Sequence, residues 1–182
     1  GKKVLLYSGN IGEKQGLENI VEAAEKLQND DSLIFLIVGE GASKKRLVDA
    51  ASVKDLKNIV FAPLQPYELL PTLLASADVH LVIQKKGAAD AVLPSKLTNI
   101  LAVSGNAVIT AEPETSLGQL CNTYPGIAAL VKPECVDSLL QGIITALEMP
   151  AQNALASEYA SEHLDKDHIL KKFEINLQAI TK

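Results

Sequence analysis

Short apolar runs alternate with stretches in which apolar residues return every three or four positions, from one end of the chain to the other. A run that is apolar at every position suits a strand buried on both faces, and the longer period suits a helix with one buried face. Residues 3–8 (KVLLYS) are therefore predicted to form a strand ending at Gly9, followed by a helix from about Gly16 with Leu17, Ile20, Val21, Ala24 and Leu27 on one side. LIFLIV at 33–38 is a second strand, closed by Gly39-Glu40-Gly41 and followed by a helix carrying Leu47, Ala50 and Ala51. NIVFA at 58–62 is a third. Pro63 and Pro66 then bracket a loop, and Pro66 suits the first turn of a helix bearing Leu69, Leu70, Leu73 and Leu74. DVHLVIQ at 78–84 is a fourth strand, and 85–92, rich in Gly, Ala and Lys, is expected to be a flexible loop. A helix beginning near Pro94 buries Leu97, Ile100 and Leu101. AVIT at 107–110, a short helix over 116–122 and IAALV at 127–131 follow. Next comes a helix marked by Leu140, Ile143, Ile144 and Leu147, and a helical tail from about Ala154 with Ile169, Phe173, Leu177 and Ile180 in phase.

Buried strands alternating with helices make right-handed crossovers and a parallel sheet. The expected fold is α/β: a doubly wound, Rossmann-like parallel sheet of about six strands. Residues 1–182 fit a single domain, with 157–182 as a helical tail. Aromatic residues make up only 4%, so the core has to be built from Leu, Ile, Val and Ala. A net charge of −5 without a basic stripe argues against nucleic acid as the main partner. No apolar run approaches the roughly 20 residues of a membrane span, and no signal peptide is visible. Gly1 stands directly before a strand with no initiator Met, so the chain is expected to be a piece of a longer protein. Cys121 and Cys135 lack metal-like spacing and are read as free thiols of a reducing compartment.

Ligands of such a sheet gather beyond the carboxyl ends of the strands, where strand order switches. After the first strand comes Gly9-Asn10-Ile11-Gly12-Glu13-Lys14-Gln15-Gly16. Glycines let the backbone approach a ligand, a helix start favours an anion, and Lys14 adds charge. The spacing is neither a dinucleotide fingerprint nor a P-loop, so alone it reads equally as a plain strand-to-helix turn. In Gly39-Glu40-Gly41 the third glycine is replaced by Lys44, and the segment is read as a turn and helix cap. The most specific segment is Val92-Leu93-Pro94-Ser95-Lys96-Leu97-Thr98-Asn99. Pro94 presets a first helical turn, Ser95 or Thr98 can cap it or bond a phosphate oxygen, and Lys96 near the positive helix end calls for an anion. The alternative is a solvated lysine. His80 lies in an apolar strand and reads as a satisfied core histidine. His163 and His168, with Asp165 and Asp167, lack further ligands for a metal. No Ser–His–Asp or Cys–His set emerges, so no catalytic residue and no metal site is assigned. Lys44, Lys45 and Arg46 read as a solvated helix face.

Taken in order, YSGNIGEKQGLENIVEAAEKL, LIFLIVGEGASKKRL, NIVFAPLQPYELLPTLLASADVHLVI and VLPSKLTNILAVSGNAVIT resemble successive segments of the C-terminal domain of group 1 (family 4) glycosyltransferases. The variant GNIGxxQGLE with LPSKL is most similar to the colanic acid biosynthesis, fucosyltransferase-like branch. The resemblance implies a GT-B enzyme of two doubly wound domains, the N-terminal one for the acceptor and the C-terminal one for a nucleotide sugar. It implies retaining transfer of a hexose from a GDP- or UDP-sugar to a polysaccharide or lipid-linked acceptor, with no metal or other cofactor. Fucose is the sugar of the nearest branch. The whole enzyme would be cytoplasmic, at the inner membrane face through the domain not present here, and this domain alone would be inactive. Charge on the leaving diphosphate would be held by amides and cations. By position, Gly9, Asn10, Gly12 and Lys14 would meet the diphosphate, with Ser95, Lys96 and Leu97 from the other side. Gln84, Lys85, Lys86 and Asn99 would meet sugar and ribose, and Leu64 and Gln65 the base. The chain departs from the family pattern where two glutamates are usual: these positions fall on Asn99 and near Ala91. The usual Arg after the first glycine is Asn10, and the usual Lys-Gly is Gln15-Gly16, with Lys14 one place off. The other reading is a non-catalytic nucleotide-binding or protein-interaction module on the same fold.

Overall fold

The computed structural model describes residues 1–88 and 93–180, without the side chains of 172 and 175–180. Six strands form one sheet: β1 (Lys3–Ser8), β2 (Leu33–Val38), β3 (Ile59–Ala62), β4 (Val79–Val82), β5 (Ala107–Thr110) and β6 (Ala129–Val131). Between and after them run α1 (Glu18–Lys26), α2 (Lys44–Val53), α3 (Leu70–Ala75), α4 (Ser95–Ala102), α5 (Ser116–Thr123), α6 (Val136–Glu148), α7 (Ala154–His163) and α8 (Lys166–Ile180). Strand order is β3-β2-β1-β4-β5-β6 and every pairing is parallel. The order turns back between β1 and β4, which opens the crevice where ligands of such sheets bind.

Alternate strand residues feed two separate cores, as a pleated strand with two covered faces requires. Leu5, Phe35, Ile37 and Leu81 pack under α1, α2 and α6. Leu6, Val38, Val82 and Ile109 pack under α3, α4, α5 and α7. In α6 the buried line is Leu139, Gly142, Ile143 and Ala146, and Ile144 is 48% exposed. The apolar spacing thus located the helix but not the centre of its buried face. A Cβ on Gly142 would crowd Val131 and Val108, so this helix lies close against β5 and β6.

Several boundaries differ from those expected. β4 stops at Val82 and β6 starts at Ala129, because buried residues continue past the last ladder bonds. The helix expected from about Gly16 begins as α1 at Glu18, and ahead of it Glu13–Gln15 make a 3-10 turn that Gly16 ends at φ 65°. The helix expected from Pro66 likewise opens with a 3-10 turn, Tyr67–Leu69, before α3. The tail is two helices, and Asp165 starts the second by accepting the His168 N–H at 2.8 Å. Ile169 and Phe173 are in phase yet 45% and 61% exposed, and the Leu177 and Ile180 side chains lie outside the described residues. The expected loop 85–92 is described only to residue 88. Cys121 and Cys135 are free, and burial pushes the Cys121 thiol up to about 11. No described helix is long and apolar enough to cross a membrane.

Candidate functional site

The turn after β1 is held from below and from the side. Gly9 donates its N–H to the Val38 carbonyl at 2.9 Å, and Ile11 donates to the Glu40 carbonyl at 2.8 Å. Ser43 closes the stitch by donating to the Ile11 carbonyl at 3.0 Å. Gly39 and Gly41 both have φ 155°, and a Cβ on either would collide with the backbone of Gly9 or Ile11. These two glycines therefore serve close approach of two loops, and α2 takes Ser43 as its N-cap instead. Within the described residues, Asn10 and Gly12 donate their backbone N–H to nothing.

Tyr7 stands beneath this turn. It is fully buried, and its hydroxyl donates to the Asn10 carbonyl at 2.6 Å. Burial pushes its phenol up, so it stays an O–H donor. Sequence reading took it as plain core, because a Tyr in an apolar run carries no mark of a further task.

Lys96 reaches the same place from α4. Its Nζ lies 4.2 Å from the Tyr7 ring centroid, a cation–π contact. It is 3.3 Å from where a Gly9 Cβ would stand, so a side chain at this position would press on the ammonium. No described carboxylate pairs with it. Desolvation lowers its pKa to about 8, which marks an ammonium short of counter-charge. Pro94, expected just inside this helix, is its N-cap at φ −61° and ψ 136°, and no side chain caps the helix. Thr98, a candidate cap, turns its hydroxyl back to the Ser95 carbonyl at 2.8 Å. The start of α4, the β1 turn and Lys96 thus converge at the β1–β4 crevice.

A cavity of about 210 Å³ opens there, lined by Gly9, Lys96, Ser95, Asn99, Leu64 and His80 among others. Its floor is mostly leucine. His80, expected to be a satisfied core histidine, is buried with Nε2 unpartnered. Desolvation holds it down to about 4, opposed by a backbone hydrogen bond with Leu74, so the ring is neutral.

The remaining candidates separate. Leu97 is fully buried and its N–H already bonds the Pro94 carbonyl at 2.9 Å, so it packs the core. Lys14 is exposed beyond the turn, and its carbonyl accepts the Lys85 N–H at 3.0 Å. The Lys85 stem lies against Gly16. Gln65 donates to the Pro63 carbonyl at 2.9 Å, while Leu64, 63% exposed, reaches the cavity. Gln84 is latched to β5: its N–H donates to Thr110 Oγ1 at 2.7 Å, and that hydroxyl donates back to its carbonyl at 2.9 Å. Lys86 faces away, 3.5 Å from Glu112, at a different cavity of about 490 Å³ between the β5 and β6 loops. The position near Ala91 lies outside the described residues. The trio read as a solvated face is exposed at Lys45 and Arg46 and carries surface ion pairs: Lys44 with Glu40, Lys45 with Asp49, Arg46 with Glu18. Among the described residues no group of acids, His and Cys is arranged to hold a metal. Chemically, the crevice offers a helix start and an ammonium with no described carboxylate partner, and the adjoining turn adds two backbone amides without a described acceptor, which together suit an oxyanion.

The family model for glycosyl transferases of group 1 matches residues 1–163. WcaI, a colanic acid biosynthesis glycosyl transferase of Escherichia coli K12, is 61% identical over 172 residues, 94% of this chain and 42% of that protein. The glycosyltransferase WbjE of Pseudomonas aeruginosa is 32% identical over 151 residues, 74% of this chain and 36% of its own length. The chain therefore spans well under half of these relatives. Among solved structures, HepE of Anabaena in complex with UDP-glucose aligns with TM-score 0.75 at 16% identity, over 98% of this chain and 49% of its own. WaaG, a glycosyltransferase of lipopolysaccharide biosynthesis, aligns with TM-score 0.68 at 18% identity, over 88% of this chain and 43% of its own. These neighbours are GT-B glycosyltransferases, and at such identities the likeness is one of fold.

Proposed function

The chain belongs to the group 1 glycosyl transferases, and on that premise we propose that it is the donor-binding domain of a retaining transferase. Its donor is a nucleoside-diphosphate hexose carrying uracil or guanine. The acceptor is a growing exopolysaccharide or its lipid-linked precursor, held by a second domain at the inner membrane face. One observation carries the reading: the Lys96 ammonium, half-buried and without a carboxylate partner among the described residues, beside the Gly9 turn at the β1–β4 crevice. A diphosphate there would take the Asn10 and Gly12 amides on one side and Lys96 on the other. As the glycosidic bond breaks, charge grows on the leaving diphosphate, and donors already in place stabilise it without reorganising. Asn99 and Leu64 line the cavity where ribose and base would lie. The UDP-glucose seen in a structural neighbour with this fold supports the donor class.

Ligand that binds only the folded chain stabilises it by mass action, by roughly 2.7 kcal/mol at a hundredfold excess over Kd, and so raises its thermal midpoint. Titrating the chain with UDP, GDP and their hexose conjugates in a thermal melt is expected to raise the midpoint with one base series. A midpoint unmoved by all of them would sink the reading. The non-catalytic alternative draws on Asn99, which offers an amide where the family resemblance leads one to expect a carboxylate. It would be favoured by nucleotide binding without transfer in the full-length protein.

A further inference from the structure

The cradle is assembled from parts that come from different layers of the fold. The glycine turn belongs to β1, and Lys96 comes from α4, in the opposite helix layer to the one that packs on Tyr7. Some group has to hold the two in register. Tyr7 touches both: its hydroxyl fixes the Asn10 carbonyl at 2.6 Å, and its ring face receives the ammonium at 4.2 Å. That carbonyl belongs to the Asn10–Ile11 peptide, whose N–H donates to the Glu40 carbonyl, so the hydroxyl helps hold the peptide that lies between the Asn10 and Gly12 amides and restrains both. The ring supports the ammonium without neutralising it, as a carboxylate would.

From this we infer that Tyr7 is a positioning residue of the donor site, tying the amide half of the diphosphate cradle to its lysine half. The inference rests on the donor-site reading above. Its two functions are separable. Tyr7→Phe removes the hydroxyl latch and keeps the ring; Tyr7→Leu removes both.

The test is calorimetric binding of UDP and of GDP to the chain and its variants. Tyr7→Phe is expected to weaken binding about threefold to tenfold, the span of one net hydrogen bond. Tyr7→Leu is expected to lose roughly a further threefold to tenfold with the cation–π contact. That further loss acts through Lys96, so in a Lys96→Ala background Tyr7→Leu and Tyr7→Phe bind alike. A purely structural Tyr7 would instead behave like Phe35→Leu, a core change in the next strand: a lower thermal midpoint and unchanged affinity. Unchanged affinity in Tyr7→Phe overturns the inference. So does a difference between the Leu and Phe variants that survives in the Lys96→Ala background. If Tyr7→Leu does not fold, Tyr7→Phe still decides, because weakened binding with the pH profile of the parent supports the latch. Failure of the unaltered chain to bind either nucleotide overturns the donor-site reading and Tyr7's role with it, a pattern distinct from parent and variants binding equally.

Discussion

An ammonium over an aromatic face with no described carboxylate beside it keeps its charge against a desolvation penalty, and a diphosphate bound as proposed would offset that penalty. Lys96→Ala is accordingly expected to weaken nucleotide binding by about 1.5–3 kcal/mol, the range for a charge-assisted bond. Unchanged affinity in a calorimetric titration would assign the side chain to solvent. The sign with pH follows from the lowered value of about 8. Binding needs the protonated form, so affinity is full below that value and falls as pH rises through it, by about tenfold near pH 9. The Lys96→Ala variant should show no such fall between pH 7 and 9. At this scale the sequence was partly readable. Gly9 and Lys96 advertised themselves through turn and helix-start chemistry. Tyr7 did not, because its spacing is that of a core residue. Lys86 and Leu97 entered the site through the family resemblance, but where a side chain points is set by packing and by contacts such as Glu112 beside Lys86, which no motif match reveals.

Elements were more legible than residues, because burial on both faces writes an unbroken apolar run into a parallel strand. β1, β2 and β5 match their runs, whereas β4 and β6 are shorter because an apolar run records burial and not ladder bonds. Gly16 ends an unforeseen 3-10 turn ahead of α1 through a positive φ that glycine permits and does not announce. Gly142 shows how packing overrides local preference. In an isolated helix, Gly→Ala gains about 1 kcal/mol. Here the new Cβ meets Val131 and Val108, and overpacking of this kind costs about 1–3 kcal/mol. Gly142→Ala is thus expected to be neutral to destabilising by denaturant melt; a gain near the full propensity value would show that α6 can back away from the sheet.

Across the whole molecule, stability resides in the two layers that sandwich the sheet. Phe35→Ala, in a fully buried position, should cost about 3–5 kcal/mol. Phe173→Ser on the exposed side of α8 should change unfolding free energy by less than about 0.5 kcal/mol. Comparable losses at the two sites would mean that α8 is packed more firmly than its exposure indicates. The doubly wound architecture was legible from alternation alone; the strand order was not, since it depends on pairings remote in sequence. That order also governs how the molecule can be made. β1 borders β4, with Leu5 opposite Val79, so during synthesis the central strand keeps one edge bare until most of the first half of the chain has emerged. Lys96 is made later still, so a nascent chain stalled before it offers an unpaired strand edge without the ammonium that the proposed cradle needs.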